Sequence, residues 1–128
     1  MRLLRIVGAV AALALVYPLS ARAADASGKW KAEFNTQVGV QKYTFELKAS
    51  GAKLTGTASF ERMGDTGHAE LKEGKVEGDK VSFVELLEIQ GNQVRIEYMG
   101  QLAGDEIKFT RKVGDFATEE FVAKRAKE

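Results

Sequence analysis

The chain has 128 residues, no cysteine, and 19 basic against 18 acidic residues. This length suits one domain with one core, and near-neutral charge with interleaved signs supplies no field to attract nucleic acid or anionic lipid. Without cysteine there is no disulfide stapling and no thiol nucleophile, so stability must come from apolar burial and a saturated hydrogen-bond ladder.

Arg2 and Arg5 precede an apolar run from Ile6 to Val16, which Pro18 and Ser20 interrupt. Ala21-Arg22-Ala23 follows, with small residues at the two positions that a signal peptidase must accommodate. A positive start, an apolar middle and a small-residue exit predict a secretory signal peptide over residues 1–23, cleaved after Ala23. The expected setting is periplasmic or extracellular, in a bacterium. The apolar run falls short of the roughly 20 residues of a membrane-spanning helix, so no membrane span is expected. Cleavage removes Arg2, Arg5 and Arg22, leaving 16 basic against 18 acidic residues in a domain of residues 24–128, a net charge of about −2.

Alternation with period two then dominates. Trp30, Ala32 and Phe34 alternate with Lys29, Lys31 and Glu33, and Tyr43, Phe45 and Leu47 with Lys42, Thr44, Glu46 and Lys48. Val94, Ile96 and Tyr98 alternate with Gln93, Arg95 and Glu97, and Ile107 and Phe109 with Lys108 and Thr110. Side chains of a strand change face at every residue, so this pattern gives one apolar and one solvated face. Turn signals separate the runs: Ser50-Gly51-Ala52, Gly64-Asp65-Thr66-Gly67, Gly78-Asp79, Gln90-Gly91-Asn92 and Gly104-Asp105. A Gly-Asp pair fits a two-residue type II′ hairpin loop. The spacing predicts about eight strands, near 28–36, 39–49, 53–61, 67–76, 79–89, 93–102, 106–113 and 117–126. Short sequential hairpins make a meander, and a meander with one apolar face removes its edges by closing. The expected fold is all-β: a single eight-stranded antiparallel up-and-down barrel. A two-sheet sandwich, the competing architecture, usually needs longer crossing connections than this chain offers.

Gly28-Lys29-Trp30 opens the first strand, Leu54-Thr55-Gly56-Thr57 opens the third after a glycine turn, and the last strand ends on Lys124-Arg125. In this arrangement the chain resembles the lipocalin and avidin superfamily (calycin-type up-and-down barrels) and small secreted bacterial β-barrels with similar Gly-Asp hairpins. The resemblance implies binding of a small ligand in the barrel interior.

Eight strands enclose a space that side chains can fill or that one small ligand can occupy. Trp30, Phe34, Tyr43, Phe45, Phe60, Phe83, Tyr98, Phe109 and Phe121 all fall on the inward register, enough aromatic bulk to fill it. Two ions break the apolar pattern. Glu85 shares a register with Val81, Phe83, Leu87 and Ile89, and Arg111 with Ile107, Phe109 and Val113. An ion facing an apolar interior is costly unless paired or solvated. Both follow a similar Gly-Asp turn by the same offset, so both are expected at one end of the barrel. The expected ligand site is therefore Glu85 and Arg111, with hydroxyls from Tyr43 and Tyr98 and an aromatic wall from Trp30. The alternative is a bulge that turns Glu85 outward and brings Val84 and Leu86 inward.

Catalytic and metal residues are not identified. His68 is the only histidine, too few for a zinc site, and there is no Gly-x-Ser-x-Gly elbow. No cofactor is expected. Glu106, Glu119 and Glu120 read as solvated surface, and Gly114-Asp115-Phe116 as a turn whose aromatic could lid an open end. Three functions fit: a binding barrel for a small hydrophobic or polar molecule or a short glycan; a filled barrel docking an envelope protein or polysaccharide through a Phe60, Met63 or Phe116 patch; and a glycan hydrolase using Glu85 with a second carboxylate.

Overall fold

The computed structural model describes residues 25–62 and 64–126. The expected signal peptide, residues 1–23, and Met63 of the expected patch lie outside the described residues.

Among the described residues nine strands follow in chain order: β1 (Gly28–Thr36), β2 (Gly39–Ser50), β3 (Lys53–Arg62), β4 (Asp65–Glu70), β5 (Lys72–Glu77), β6 (Lys80–Ile89), β7 (Asn92–Ala103), β8 (Glu106–Val113) and β9 (Ala117–Arg125). All pairings are antiparallel; consecutive strands pair except β4 and β5, β3 meets β5 instead, and β1 returns to β9, so eight of them close into a barrel. The ninth, β4, pairs with β3 alone, so the hydrogen-bonded ring closes without it. The meander predicted from the alternation is the observed one, and the described residues include no helix.

The turns follow from local chemistry. Gly78-Asp79 and Gly104-Asp105 are two-residue loops, bounded by the pairs Glu77–Lys80 and Ala103–Glu106. Their glycines carry φ of 60° and 64° while the aspartates stay at negative φ, the type II′ pattern. The expected loop over residues 64–67 is shorter than predicted. Arg62 already faces Asp65, so Asp65, Thr66 and Gly67 belong to a strand.

The predicted strand 67–76 is interrupted near Leu71. The β3–β4 ladder runs from Arg62–Asp65 to Thr57–Glu70, and the Leu71 amide still donates to the Gly56 carbonyl at 2.9 Å. One residue is then inserted before Lys53 meets Lys75. Glu73, at φ 52°, marks this bulge, and Arg95 grips its carboxylate with two N–H donors at 2.8 and 2.9 Å. The consequence lies next door. Pairing between β5 and β6 ends at Lys72–Val84, so residues 85–89 are laddered to β7 only. The barrel wall parts there, between β4 and the second half of β6.

The core fills the other half. Phe45 has the rings of Tyr43, Phe83, Tyr98 and Phe109 around it at centroid distances of 5.3 to 5.6 Å, and each such aromatic pair adds about 0.5–1.5 kcal/mol to its area burial. Gly100 faces inward and makes room for them: a Cβ there would lie 2.7 Å from the Phe109 ring and 2.6 Å from Ile107.

The end away from the parted wall is locked by a tryptophan. Trp30 is fully buried, and its indole N–H donates to the Ala26 carbonyl at 2.9 Å. Arg125 lies over its ring at 4.3 Å and donates to the Ser27 carbonyl at 2.7 Å and to Asp105 at 3.0 Å. The first and last strands of the ring are thereby tied at one point. Arg125→Met should lower unfolding free energy by about 2 kcal/mol, the sum of a partly desolvated cation–π contact and its charged hydrogen bonds. Urea denaturation with an unchanged m-value would show it, and Arg95→Met, on the exposed face, should cost less.

Candidate functional site

Glu85 points inward. The β6–β7 ladder is continuous from Lys80–Gln101 to Ile89–Asn92, so no bulge turns this carboxylate out. It is 0 % exposed, among the most buried groups in the protein. Both its oxygens are held by phenols: Tyr43 donates to them at 3.1 and 3.2 Å, and Tyr98 donates to Oε1 at 2.7 Å.

Arg111, 2 % exposed, stands directly across the β7–β8 ladder from Tyr98. Its Nε–H donates to the Tyr98 oxygen at 3.0 Å and its Nη2 to the Tyr43 oxygen at 3.2 Å. Its Nη1 donates to Glu119, its partner across the β8–β9 ladder. Arg62 adds a donor to the Tyr43 oxygen at 3.3 Å. Glu85 and Arg111 thus form no direct ion pair. Two tyrosine hydroxyls stand between them, each accepting from the guanidinium and donating to the carboxylate. Along both tyrosine bridges the donors run from Arg111 toward Glu85, the arrangement that lets each hydrogen bond polarise the next.

This polarity sets the ionisation of the phenols. Burial, then the Glu85 charge, hold Tyr43 above its ordinary range, and the same two causes hold Tyr98 well above it. Burial disfavours the Arg111 cation, but the Tyr98 and Tyr43 oxygens and the Glu119 carboxylate outweigh it, so the guanidinium is more firmly charged than usual. The network fits a buried carboxylate, neutral phenols and a buried guanidinium, with hydrogen bonds replacing lost water.

Above this network the barrel opens into a cavity of about 760 Å³. Arg111 and Gln41 form its floor; Arg62, Leu87, Phe116 and Glu119 are among the residues around it. Gly67 and His68 from β4 and Leu87 and Glu88 from β6 stand on either side of the parted wall. Phe116, the expected lid, is 74 % exposed on the β8–β9 hairpin and borders the opening.

Of the five predicted ligand residues, the fold brings four together: Glu85, Arg111, Tyr43 and Tyr98. Only Arg111 lines the cavity. Glu85, Tyr43 and Tyr98 lie beneath the floor and hold it. Trp30 is not part of the cluster; it sits in the lock at the other end. The carboxylate of Glu85, sealed and capped by two hydroxyls, gives no support to a hydrolytic role. Three residues were missed. Glu119, read as solvated surface, is largely buried, its side chain 14 % exposed against Arg111. It shares the inward register of Phe121 and Ala123, and that phase was the signal. Gln41 in phase with Tyr43, and Arg62 in phase with Phe60, could have been found in the same way.

Fold and site together define a closed antiparallel β-barrel with a filled half, an open half, and a tyrosine-bridged ionic layer dividing them. Comparison with family models, with curated proteins and with solved structures finds no match for this chain.

Removing one ion strands the other in the core. Glu85→Leu and Arg111→Leu should each destabilise by about 3–5 kcal/mol, and the double variant by less than their sum, as a thermal or urea double-mutant cycle would read out. The phenols give a pH prediction. Below pH about 10 both folded and unfolded chains keep the protons; above it the unfolded chain releases them while the folded one retains them. Stability should therefore fall from pH about 10 upward, by about 1.4 kcal/mol per pH unit for each tyrosine, until the folded pKa is passed. The tyrosinate signals of Tyr43 and Tyr98 should appear only together with loss of structure.

Proposed function

We propose that the protein is a small-ligand-binding barrel, and that the ligand occupies the open half above Arg111 rather than the barrel centre. The observation that carries this reading is the cavity of about 760 Å³ whose floor is made of buried polar side chains, Arg111 and Gln41. Its size lies in the usual range for sites that bury a small molecule, and apolar walls with a few fixed polar groups are the usual lining of such sites. Phe60, Leu87, Val113 and Phe116 supply the walls here. The layer beneath supports the reading as well: it fixes the Arg111 guanidinium through three hydrogen-bonding partners, the preorganisation that a binding group needs.

The calycin-type likeness supports the same reading. Of the residues on which it rests, in Gly28-Lys29-Trp30, Leu54-Thr55-Gly56-Thr57 and Lys124-Arg125, Trp30 and Arg125 meet in the lock at the closed end. The proposed setting, periplasmic or extracellular, rests on the pattern of residues 1–23 alone. Docking of a macromolecule through the outer wall is the second reading, favoured by the exposure of Met99 and Val122.

The test is occlusion. Leu87→Trp should fill the cavity and weaken binding of the neutral fluorescent probe N-phenyl-1-naphthylamine at least about tenfold, equivalent to 1.4 kcal/mol, with an unchanged melting temperature. Binding unaffected by Leu87→Trp but lost in Met99→Glu would move the function to the outer wall.

A further inference from the structure

Four charged side chains meet at the floor of the open half. Glu85 and Glu119 are negative, Arg62 and Arg111 positive, and all are joined through Tyr43, Tyr98 or directly. Their charges sum to zero. A net charge added beside them would leave the layer unbalanced, and an uncompensated ion stripped of water is expensive. Asp65, His68 and Glu88 also border the cavity, but they are exposed, where water and salt screen them.

Hydrogen-bonding capacity, unlike charge, is left over. Gln41 is 5 % exposed, and its Oε1 accepts no hydrogen bond among the described residues. Its Nε2 makes a single long contact to Thr36 at 3.4 Å. A buried amide oxygen without a donor is destabilising and calls for an explanation. Arg62 donates to Tyr43 through one nitrogen only, lies over the Phe60 ring at 3.8 Å, and makes no ion pair among the described residues. Gln41 therefore leaves an unsatisfied acceptor in the floor, shielded from water in the structure, and Arg62 leaves unused donors beside the cavity, within a layer whose formal charges cancel.

A carboxylate would satisfy Arg62 but would bring no proton to the Gln41 oxygen and would make the layer negative. An ammonium would satisfy Gln41 but would stand beside two guanidinium groups. A hydroxyl or a carboxamide both gives and receives, and adds no charge. The apolar side chains above, Phe60, Leu87, Val113 and Phe116, suit a hydrocarbon or aromatic body. Resting on the reading of this cavity as a ligand site, we infer that it selects a neutral amphiphile, with an apolar body in the opening and a hydroxyl or carboxamide head held between Gln41 and Arg62.

Four probes sharing a decyl tail test this: decanamide, 1-decanol, decanoate and decylammonium, each below its micelle concentration, titrated calorimetrically into the full chain. The amide and the alcohol should bind at least about tenfold more tightly than either ion, the factor expected when a buried polar group is left unmatched. In Gln41→Met, which deletes the orphan oxygen and should leave the melting temperature equal or higher, the preference for decanamide over decanoate should shrink to less than about threefold. Tighter binding of decanoate or decylammonium would overturn the selectivity while leaving the ligand site intact. Binding of no probe, or binding indifferent to Leu87→Trp, would overturn the site and the selectivity together.

Discussion

Two opposite charges sit inside an apolar barrel without touching, and the phenols between them hold the open half together. Glu85 and Arg111 could each be sealed in only if something replaced the water they lost. Tyr43 and Tyr98 do this by passing hydrogen bonds from guanidinium to carboxylate, at 2.7 to 3.2 Å along the way. Counting Arg62 and Glu119, the layer draws side chains from β2, β3, β6, β7, β8 and β9. It crosses the lumen where the wall is weakest, next to the stretch of β6 that has a strand on one side only. A ladder closes the barrel around its circumference; this layer closes it across its diameter.

The two halves serve different ends because their side chains differ on the same register. From Leu54 and Leu102 through Phe45 and Phe109 the inward positions are apolar and the lumen is solid. At Gln41, Glu85, Arg111 and Glu119 they turn polar or charged, and beyond that layer, between apolar side chains such as Leu87 and Val113, the lumen opens. No change of strand geometry is needed for that transition in β2, β8 or β9, whose ladders run without a shift. In β5 there is such a change, and the Glu73 bulge turns a difference of lining into a difference of shape.

Strand order and closure were legible because period-two alternation and glycine turns are local signals, and a meander leaves few alternatives. The ionic layer was legible as an interruption: an ion in the phase of Phe83 or Phe109 has nowhere to point but inward. Its chemistry was not. Whether Glu85 meets Arg111 directly or through Tyr43 depends on side-chain lengths across the lumen, which no pattern along one strand encodes. Glu119 was misread for another reason. Its neighbour Glu120 and the lysines around it make the segment look solvated, although its phase with Phe121 is as clear as that of Arg111 with Phe109. The interruption at Leu71 was hidden because one inserted residue at Glu73 leaves the composition of a strand unchanged.

The unpaired stretch between β4 and β6 has a geometric consequence for whatever enters. A cup with a complete rim admits only what its depth can accommodate. Here the rim is notched on one side, with Gly67 and His68 facing Leu87 and Glu88 across the gap. The opening has the outline of a keyhole: on the reading proposed above, a head seated on the floor would leave its tail a sideways exit through the slot, so length would not limit what is held.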